Sequence, residues 1–200
     1  MLHGYGSNKN DLISIAPDLA QYTPNSLFIS PDAPERFEGG VPGSYQWFSL
    51  VDRDEERMYN CLCANFIILD KFIEECLVKY QIDIKKVGIF GFSQGGMVSL
   101  HYALEKVPYI SCAICNSGML ISPHASMRES ISGPDILLIH GDQDQVVPFS
   151  AMRFSRHSIE KGGINVRCYV AEGLAHGIDQ GCIKAAGNFL SDHFGAKKGE

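Results

Sequence analysis

Ser93 lies in the stretch GFSQGG, directly after the apolar run KKVGIFGF. A Gly-x-Ser-x-Gly motif between a strand and a helix is typical of a serine nucleophile on a tight turn, where the flanking residues must be small. A glycine-rich turn with an incidental serine would give the same pattern. A serine hydroxyl becomes a useful nucleophile only when a base takes its proton and an acid orients that base. The rest of the sequence must therefore supply both partners.

Candidate partners follow two later strand-like runs. The segment HGDQDQVVP carries Asp142 and Asp144, and the segment GLAHGID carries His176. The carboxyl ends of parallel strands meet at one edge of a sheet, so we expect these side chains to approach Ser93. The order serine, aspartate, histidine is that of the α/β-hydrolase triad. Spacing alone does not choose between the aspartates, since Asp142 could equally hold its turn through backbone amides.

The same chemistry requires two backbone N–H groups that face the oxygen on which negative charge develops. The residue after the nucleophile, Gln94, is one expected donor. The loop LHGYG near the amino end fits the other, with Tyr5 as donor, and we interpret His3 as a buttress of that loop. Other histidines compete with His176 for the base role, but His140 ends an apolar strand and fits a core position better.

Apolar runs and helical patterns alternate along the chain. Strands are predicted at 25–30, 85–92, 109–118, 135–142 and 165–173, and helices at 56–80, 94–105, 150–161 and 178–194. This alternation predicts an α/β fold in which a mostly parallel sheet is covered by helices on both faces. The stretch 31–55 interrupts it with Pro, Gly and charged residues around Trp47 and Phe48, and we expect it to flank the active site.

Composition narrows the class of protein. A chain of 200 residues predicts one domain, here residues 1–195, followed by a polar tail at 196–200. The formal charge of −6 argues against nucleic acid as a partner, and no apolar run approaches the ~18 residues of a membrane span. Seven cysteines without an evident export signal indicate reduced thiols and a cytoplasmic location. Cys112 and Cys115 lack a second ligand pair, so we expect no metal site.

Taken together, these segments resemble the phospholipase/carboxylesterase family of α/β-hydrolases, which includes the acyl-protein thioesterases. The matching segments occur in the family's order and cover nearly the whole chain: LHGYG, PDAP, QWFSL, GFSQGG, HGDQDQVVP and GLAHGID. The resemblance implies that Ser93 is the nucleophile, His176 the base and Asp144 rather than Asp142 the acid. It likewise implies that the amides of Tyr5 and Gln94 are the oxyanion donors. The implied activity is hydrolysis of carboxylic esters or thioesters through an acyl-enzyme, without metal or cofactor.

The acyl group needs an apolar groove beside the serine. Loop residues near the matching segments are expected to line it, although a core position suits each of them as well: Trp47, Phe48, Met119, Val146 and Val147. Lysophospholipid, an S-acylated protein and a short soluble ester all fit such a groove. A homodimer is left open, because an exposed Trp47–Phe48 pair could face a partner as readily as a substrate.

The chain departs from the family at its amino end. In this fold the strand before the HG loop lies inside the sheet, but only Met1 and Leu2 precede His3. A strand needs about five residues, so most of this one is expected to be missing, with unpaired backbone groups that cost ~1–3 kcal/mol each. One hypothesis is that Met1 is an internal methionine of a longer natural product.

The same departure motivates an alternative function, a catalytically impaired homologue, truncated at the amino end, that binds acyl groups or a partner. A shifted Tyr5 loop would remove half of the oxyanion hole. A peptidase on the same fold is disfavoured, because nothing in the sequence suggests a lid domain or a carboxylate cluster for a peptide terminus.

Overall fold

The computed structural model describes residues 1–106, 110–121 and 133–195, in which strands and helices alternate. The strands are β1 (Glu35–Arg36), β2 (Tyr45–Gln46), β3 (Gly88–Phe92), β4 (Cys112–Asn116), β5 (Asp135–Gly141) and β6 (Val166–Ala171). The helices are α1 (Lys9–Leu12), α2 (Ala16–Ala20), α3 (Glu55–Ala64), α4 (Phe66–Tyr80), α5 (Gln94–Glu105), α6 (Phe149–Lys161) and α7 (Gln180–Phe194). The predicted tail at 196–200 lies outside the described residues.

The central sheet consists of β3, β4, β5 and β6, which pair in parallel and in chain order. Alternate side chains point to opposite faces, as strand geometry requires. Phe90 and Ile114 pack with α2 and α7 on one face, whereas Ile89 and Ala113 pack with α3, α4 and α5 on the other. The predicted parallel sheet with helices on both faces is therefore confirmed.

The long helix predicted over 56–80 is divided in two at Asn65. The buried amide of Asn65 donates to the carbonyl oxygens of Trp47, at 2.6 Å, and Cys61, at 2.9 Å. Periodicity shows the apolar face that α3 and α4 share, but it carries no sign of this contact with a distant segment. The prediction of one helix was wrong for that reason.

The strand predicted at 25–30 is not formed. Before the HG loop, the sheet edge is continued by a bridge from Leu2 to Gly91, with Leu2 N 2.8 Å from Phe90 O. Cavities of about 440 and 160 Å³ lie between the segment around Phe28 and β3, and this segment meets the chain start through a 2.7 Å bond from Met1 N to Ile29 O. In the described residues, the Leu2–Gly91 bridge occupies the position expected for the strand before the HG loop.

The irregular stretch 31–55 contains a short hairpin in which β1 and β2 pair antiparallel. A bridge joins Ser7 to Tyr45 and so attaches the hairpin to the loop after His3. Among the described residues, none of the helices has both the length and the apolar character needed to cross a bilayer.

Candidate active site

Ser93 occupies the turn between β3 and α5 in a strained backbone conformation, with φ 52° and ψ −118°. Two close backbone contacts explain its flanking glycines. A Cβ on Gly91 would lie 2.0 Å from Gly95 O, and a Cβ on Gly95 would lie 2.1 Å from Leu2 O. The motif is thus required by packing as well as by the turn, and the strain presents the hydroxyl at the edge of the sheet.

The imidazole of His176 lies between Ser93 and Asp144. Its Nε2 is 3.0 Å from Ser93 Oγ, and its Nδ1 is 2.7 Å from Asp144 Oδ2. The ring packs against Phe92, with 5.0 Å between the ring centroids. These distances allow a proton to pass from the hydroxyl to Nε2 while the carboxylate holds Nδ1–H.

The two aspartates that spacing could not separate have different surroundings. Asp144 is buried, and its Oδ1 accepts bonds from the amides of Val146, at 2.9 Å, and Val147, at 3.0 Å, which leaves Oδ2 facing His176. Asp142 instead accepts a 2.8 Å bond from the Gly173 amide and so holds the loop that leads to His176. The geometry brings Asp144 to the imidazole and leaves Asp142 in the turn.

Two further histidines near these segments are buried and bonded to the backbone. His3 lies between the Gly4 carbonyl, at 2.8 Å, and the Ala33 amide, at 3.0 Å. His140 Nε2 is 2.8 Å from the Val147 carbonyl and 3.4 Å from Asp144 Oδ2. Burial lowers the pKa of both imidazoles, which favours their neutral forms. The contact of His140 with the Asp144 carboxylate was not anticipated from the sequence.

The amides of Tyr5 and Gln94 are available as donors beside Ser93. Within the three described ranges, neither donates to another group of the protein. Gln94 opens α5, and the first amides of a helix lack intrahelical partners. The Tyr5 loop lies close to the nucleophile, because a Cβ on Gly4 would be 3.5 Å from Ser93 Cβ. Within the described residues, both amides therefore keep the capacity to donate a hydrogen bond near Ser93.

The predicted groove residues fall into two groups. Trp47, Phe48 and Val147 are 3%, 0% and 6% exposed and belong to the main core, so their side chains have almost no surface to offer a substrate. Their burial favours the core position that the sequence had left open for each of them. Val146, 68% exposed, and Met119, half-buried, remain accessible. Because Trp47 and Phe48 are buried, this pair does not offer the exposed surface on which a homodimer was considered.

Cys112 and Cys115 are buried free thiols. They lie in separate core clusters on opposite faces of β4, and burial raises the pKa of each to about 12. In the part of the chain that the structure describes, no group of three or more His, Cys, Asp or Glu side chains could hold a metal ion.

Sequence reasoning missed the polar side chains that connect the loops of the site. At the end of β4, the Asn116 side chain donates a 3.3 Å bond to Gly177 O, and its backbone carbonyl accepts a 2.8 Å bond from Ser93 N. The Gln94 side chain accepts from Trp47 N, at 2.8 Å, and donates to Phe48 O, at 2.6 Å. In the sequence, the only signal for these two residues was their position, with Asn116 at the end of β4 and Gln94 at the start of α5, directly after Ser93.

Known proteins are similar to this chain over nearly its whole length. A model of the phospholipase/carboxylesterase family matches residues 1–194. Esterase YpfH of Escherichia coli is 28% identical over 199 residues, which cover 96% of this chain and 79% of that protein. The acyl-protein thioesterase 1 homolog 1 of Dictyostelium discoideum is 28% identical over 183 residues, with coverage of 87% and 80%.

Two solved structures have a fold similar to that of this chain. Esterase PE8 matches with a TM-score of 0.88 and 30% identity, over 96% of this chain and 90% of its own. The Bacillus cereus carboxylesterase matches with a TM-score of 0.78 and 18% identity, over 96% and 87%, and at that identity it supports the fold alone. The predicted α/β-hydrolase fold is confirmed.

Proposed function

This chain belongs to the phospholipase/carboxylesterase family and is a carboxylic ester hydrolase, and we propose that it cleaves esters or thioesters through Ser93, His176 and Asp144 by way of an acyl-enzyme. One observation carries this proposal. The hydroxyl, the imidazole and the carboxylate form a continuous line, with 3.0 Å from Ser93 Oγ to His176 Nε2 and 2.7 Å from His176 Nδ1 to Asp144 Oδ2.

The acylation step follows from this line. Ser93 Oγ attacks the carbonyl carbon as its proton moves to His176 Nε2, and the carbonyl oxygen takes the negative charge. The amides of Tyr5 and Gln94 donate to that oxygen. When the intermediate collapses, the bond to the leaving alkoxide or thiolate breaks, and His176 returns the proton to the leaving group. The acyl group is then bound to Ser93 as an ester.

Deacylation repeats the sequence with water as the nucleophile. His176 Nε2 takes a proton from the water as its oxygen attacks the acyl-enzyme, and then gives that proton back to Ser93 Oγ. Asp144 stabilises the imidazolium in both steps without taking a proton itself. The amides of Val146 and Val147 donate hydrogen bonds to the Asp144 carboxylate and stabilise its negative charge, so the carboxylate is oriented before substrate arrives.

The similarity to esterase YpfH and esterase PE8 supports an acyl ester as the substrate class, with an acyl thioester as the second chemistry. The similarity to the acyl-protein thioesterase homolog of Dictyostelium supports the latter. Val146 and Met119 are proposed to form the apolar rim of the groove. The impaired-homologue alternative requires a displaced Tyr5 loop, and the close contact of Gly95 with Leu2 and His3 argues against such a displacement.

Hydrolysis of p-nitrophenyl butyrate tests the proposal. We expect wild-type turnover to begin with a burst of p-nitrophenolate close to one equivalent per enzyme when deacylation is slow. Ser93→Ala should lower kcat by about 10⁴-fold or more. A fluorophosphonate should add one mass adduct to the wild type and none to the variant. Equal hydrolysis by both proteins, with both folded, would contradict the assignment of Ser93.

A further inference from the structure

The two proposed oxyanion donors belong to distant parts of the chain. Gln94 N begins α5, whereas Tyr5 N lies in the loop between His3 and α1. An oxyanion hole works only if each donor lies ~2.7–3.1 Å from the developing charge. The relative position of the two amides must therefore be held by contacts outside the triad.

A carboxylate in the β1–β2 hairpin makes such contacts. One oxygen of Glu38, Oε1, accepts bonds from the Tyr5 phenol and, at 3.0 Å, from the Leu50 amide. The other, Oε2, accepts bonds from Ser49 Oγ at 2.6 Å and from Gln46 Nε2 at 3.3 Å. A carboxylate has about four acceptor positions, so all of those of Glu38 are in use although the hairpin is exposed.

Besides the Ser7–Tyr45 bridge, contacts of Tyr5 and Gly6 attach the Tyr5 loop to this hairpin. The phenol of Tyr5 donates to Glu38, and its ring meets Phe37 edge to face at 4.9 Å between centroids. The next amide in the chain, that of Gly6, donates a 2.9 Å bond to Tyr45 O. The Tyr5 side chain and the Gly6 amide are thus both bonded to the hairpin. Within the described residues the Tyr5 amide itself makes no such bond, so it can still donate to an oxyanion.

The far end of the hairpin is attached to the other donor. Beyond β2, the backbone of Trp47 and Phe48 is held by the side chain of Gln94. The Trp47 indole adds a 2.9 Å bond to His3 O, two residues before Tyr5. Glu38, bonded to Ser49 and Leu50, therefore closes a ring of contacts that includes both proposed donors.

From this geometry we infer that Glu38 is a positioning residue for ester hydrolysis, which holds the Tyr5 amide in place through the Tyr5 phenol. The inference rests on the proposed function, because it assumes that the Tyr5 amide stabilises the oxyanion. It concerns a residue in an exposed hairpin that does not touch the reacting atoms.

The protonation states suit this role. Burial alone would raise the pKa of Glu38, but the bonds from Ser49, Tyr5, Leu50 and Gln46 lower it to about 2, so the group is a carboxylate at neutral pH. Burial and the bond to Glu38 raise the pKa of Tyr5 to about 12, so the phenol keeps its proton and remains a donor.

Kinetics of four variants test the inference: Glu38→Ala, Tyr5→Phe, the double variant and the control Glu35→Ala. Alanine is chosen because a glutamine carbonyl could keep both bonds that Glu38 Oε1 accepts, from the Tyr5 phenol and the Leu50 amide. The control lies in the same hairpin and accepts one 3.0 Å bond, from Gln46 Nε2, with no hydrogen bond to Tyr5. A mispositioned donor acts in the transition state and little in the substrate complex. With p-nitrophenyl butyrate we therefore expect Glu38→Ala to lower kcat by ~10- to 100-fold, below the ~10²–10³ of a lost donor, with KM within ~3-fold.

The pattern across the variants separates positioning from a merely structural role. Tyr5→Phe should lose about as much kcat as Glu38→Ala, and the double variant should lose no more than the larger single loss, because both changes break the bond from the Tyr5 phenol to Glu38. Affinity for a trifluoromethyl ketone, which forms an oxyanion on Ser93, should fall by the same factor as kcat. The control Glu35→Ala should match the wild type in kcat and ketone affinity.

Several results would overturn the inference. Wild-type kcat in folded Glu38→Ala would do so, as would losses that multiply in the double variant or a loss confined to KM. If Glu38→Ala does not fold, Tyr5→Phe decides alone, since it keeps the other three bonds to the Glu38 carboxylate. Failure of the proposed function is a distinct outcome, visible as equal hydrolysis by wild type and Ser93→Ala.

Discussion

Replacing Asp144 by asparagine tests whether this carboxylate sets the tautomer of the proposed base, His176. The contacts around the carboxylate predict a specific result. The amides of Val146 and Val147 both donate to Oδ1, so the asparagine carbonyl should take that position. The asparagine NH₂ group then replaces Oδ2, 2.7 Å from His176 Nδ1. Two donors cannot face each other at that distance, so we expect His176 to shift its proton to Nε2.

The expected magnitude follows from the tautomer. With its proton on Nε2, the imidazole would donate to Ser93 Oγ across 3.0 Å and could no longer accept the serine proton. The loss should be about 10⁴-fold in kcat, equivalent to ~5.4 kcal/mol of transition-state stabilisation. KM should change little, because Asp144 is buried behind His176 and does not meet the substrate.

Asp142→Asn is the matched control, two residues away and with the same chemical change. Asparagine can keep the 2.8 Å bond from the Gly173 amide on its carbonyl oxygen, so we expect less than ~3-fold loss of kcat. The assay is initial-rate hydrolysis of p-nitrophenyl butyrate by both variants, with thermal unfolding as a check on folding.

Two results would refute this reasoning. If Asp144→Asn kept kcat within about tenfold of wild type, Asp144 would not set the tautomer of His176. If folded Asp142→Asn lost as much activity as Asp144→Asn, the two aspartates would not be separated by their contacts with the imidazole.

Two further predictions concern stability. Gly95→Ala should lower the free energy of unfolding by about 3 kcal/mol, because its Cβ would lie 2.1 Å from Leu2 O. Gly177→Ala should change that free energy by less than ~0.5 kcal/mol, because its Cβ would meet nothing within 4 Å. Urea unfolding measures both variants, and equal losses would contradict the packing argument. The Tm advantage of wild type over Glu38→Gln should be full above about pH 5 and shrink as the pH falls towards 2, because the pKa of Glu38 is lowered from 4.5 in the unfolded chain to about 2. Calorimetry at about pH 6 and about pH 3 tests this, and an unchanged Tm difference would count against the pKa assignment.

Local patterns in the sequence were sufficient for much of the fold. The helix predicted at 94–105 coincides with α5, and four of the five predicted strands are present with shifted ends. Such patterns reflect periodicity and turn chemistry, which act between residues close in the chain. They failed at 25–30, where the outcome depends on a neighbouring strand, and at Asn65, where it depends on a contact with Trp47, 18 positions away.

The sequence by itself determined the elbow around Ser93, the order of the serine, aspartate and histidine candidates, and the family resemblance. Residue spacing left Asp142 and Asp144 equivalent, and the resemblance favoured Asp144. Only the tertiary structure showed which carboxylate meets His176, that Trp47 and Phe48 are buried, and that Glu38 holds Tyr5 from 33 positions along the chain. The physical reason is that side chains from separate loops meet only where the sheet brings those loops together, and no local pattern encodes that distance.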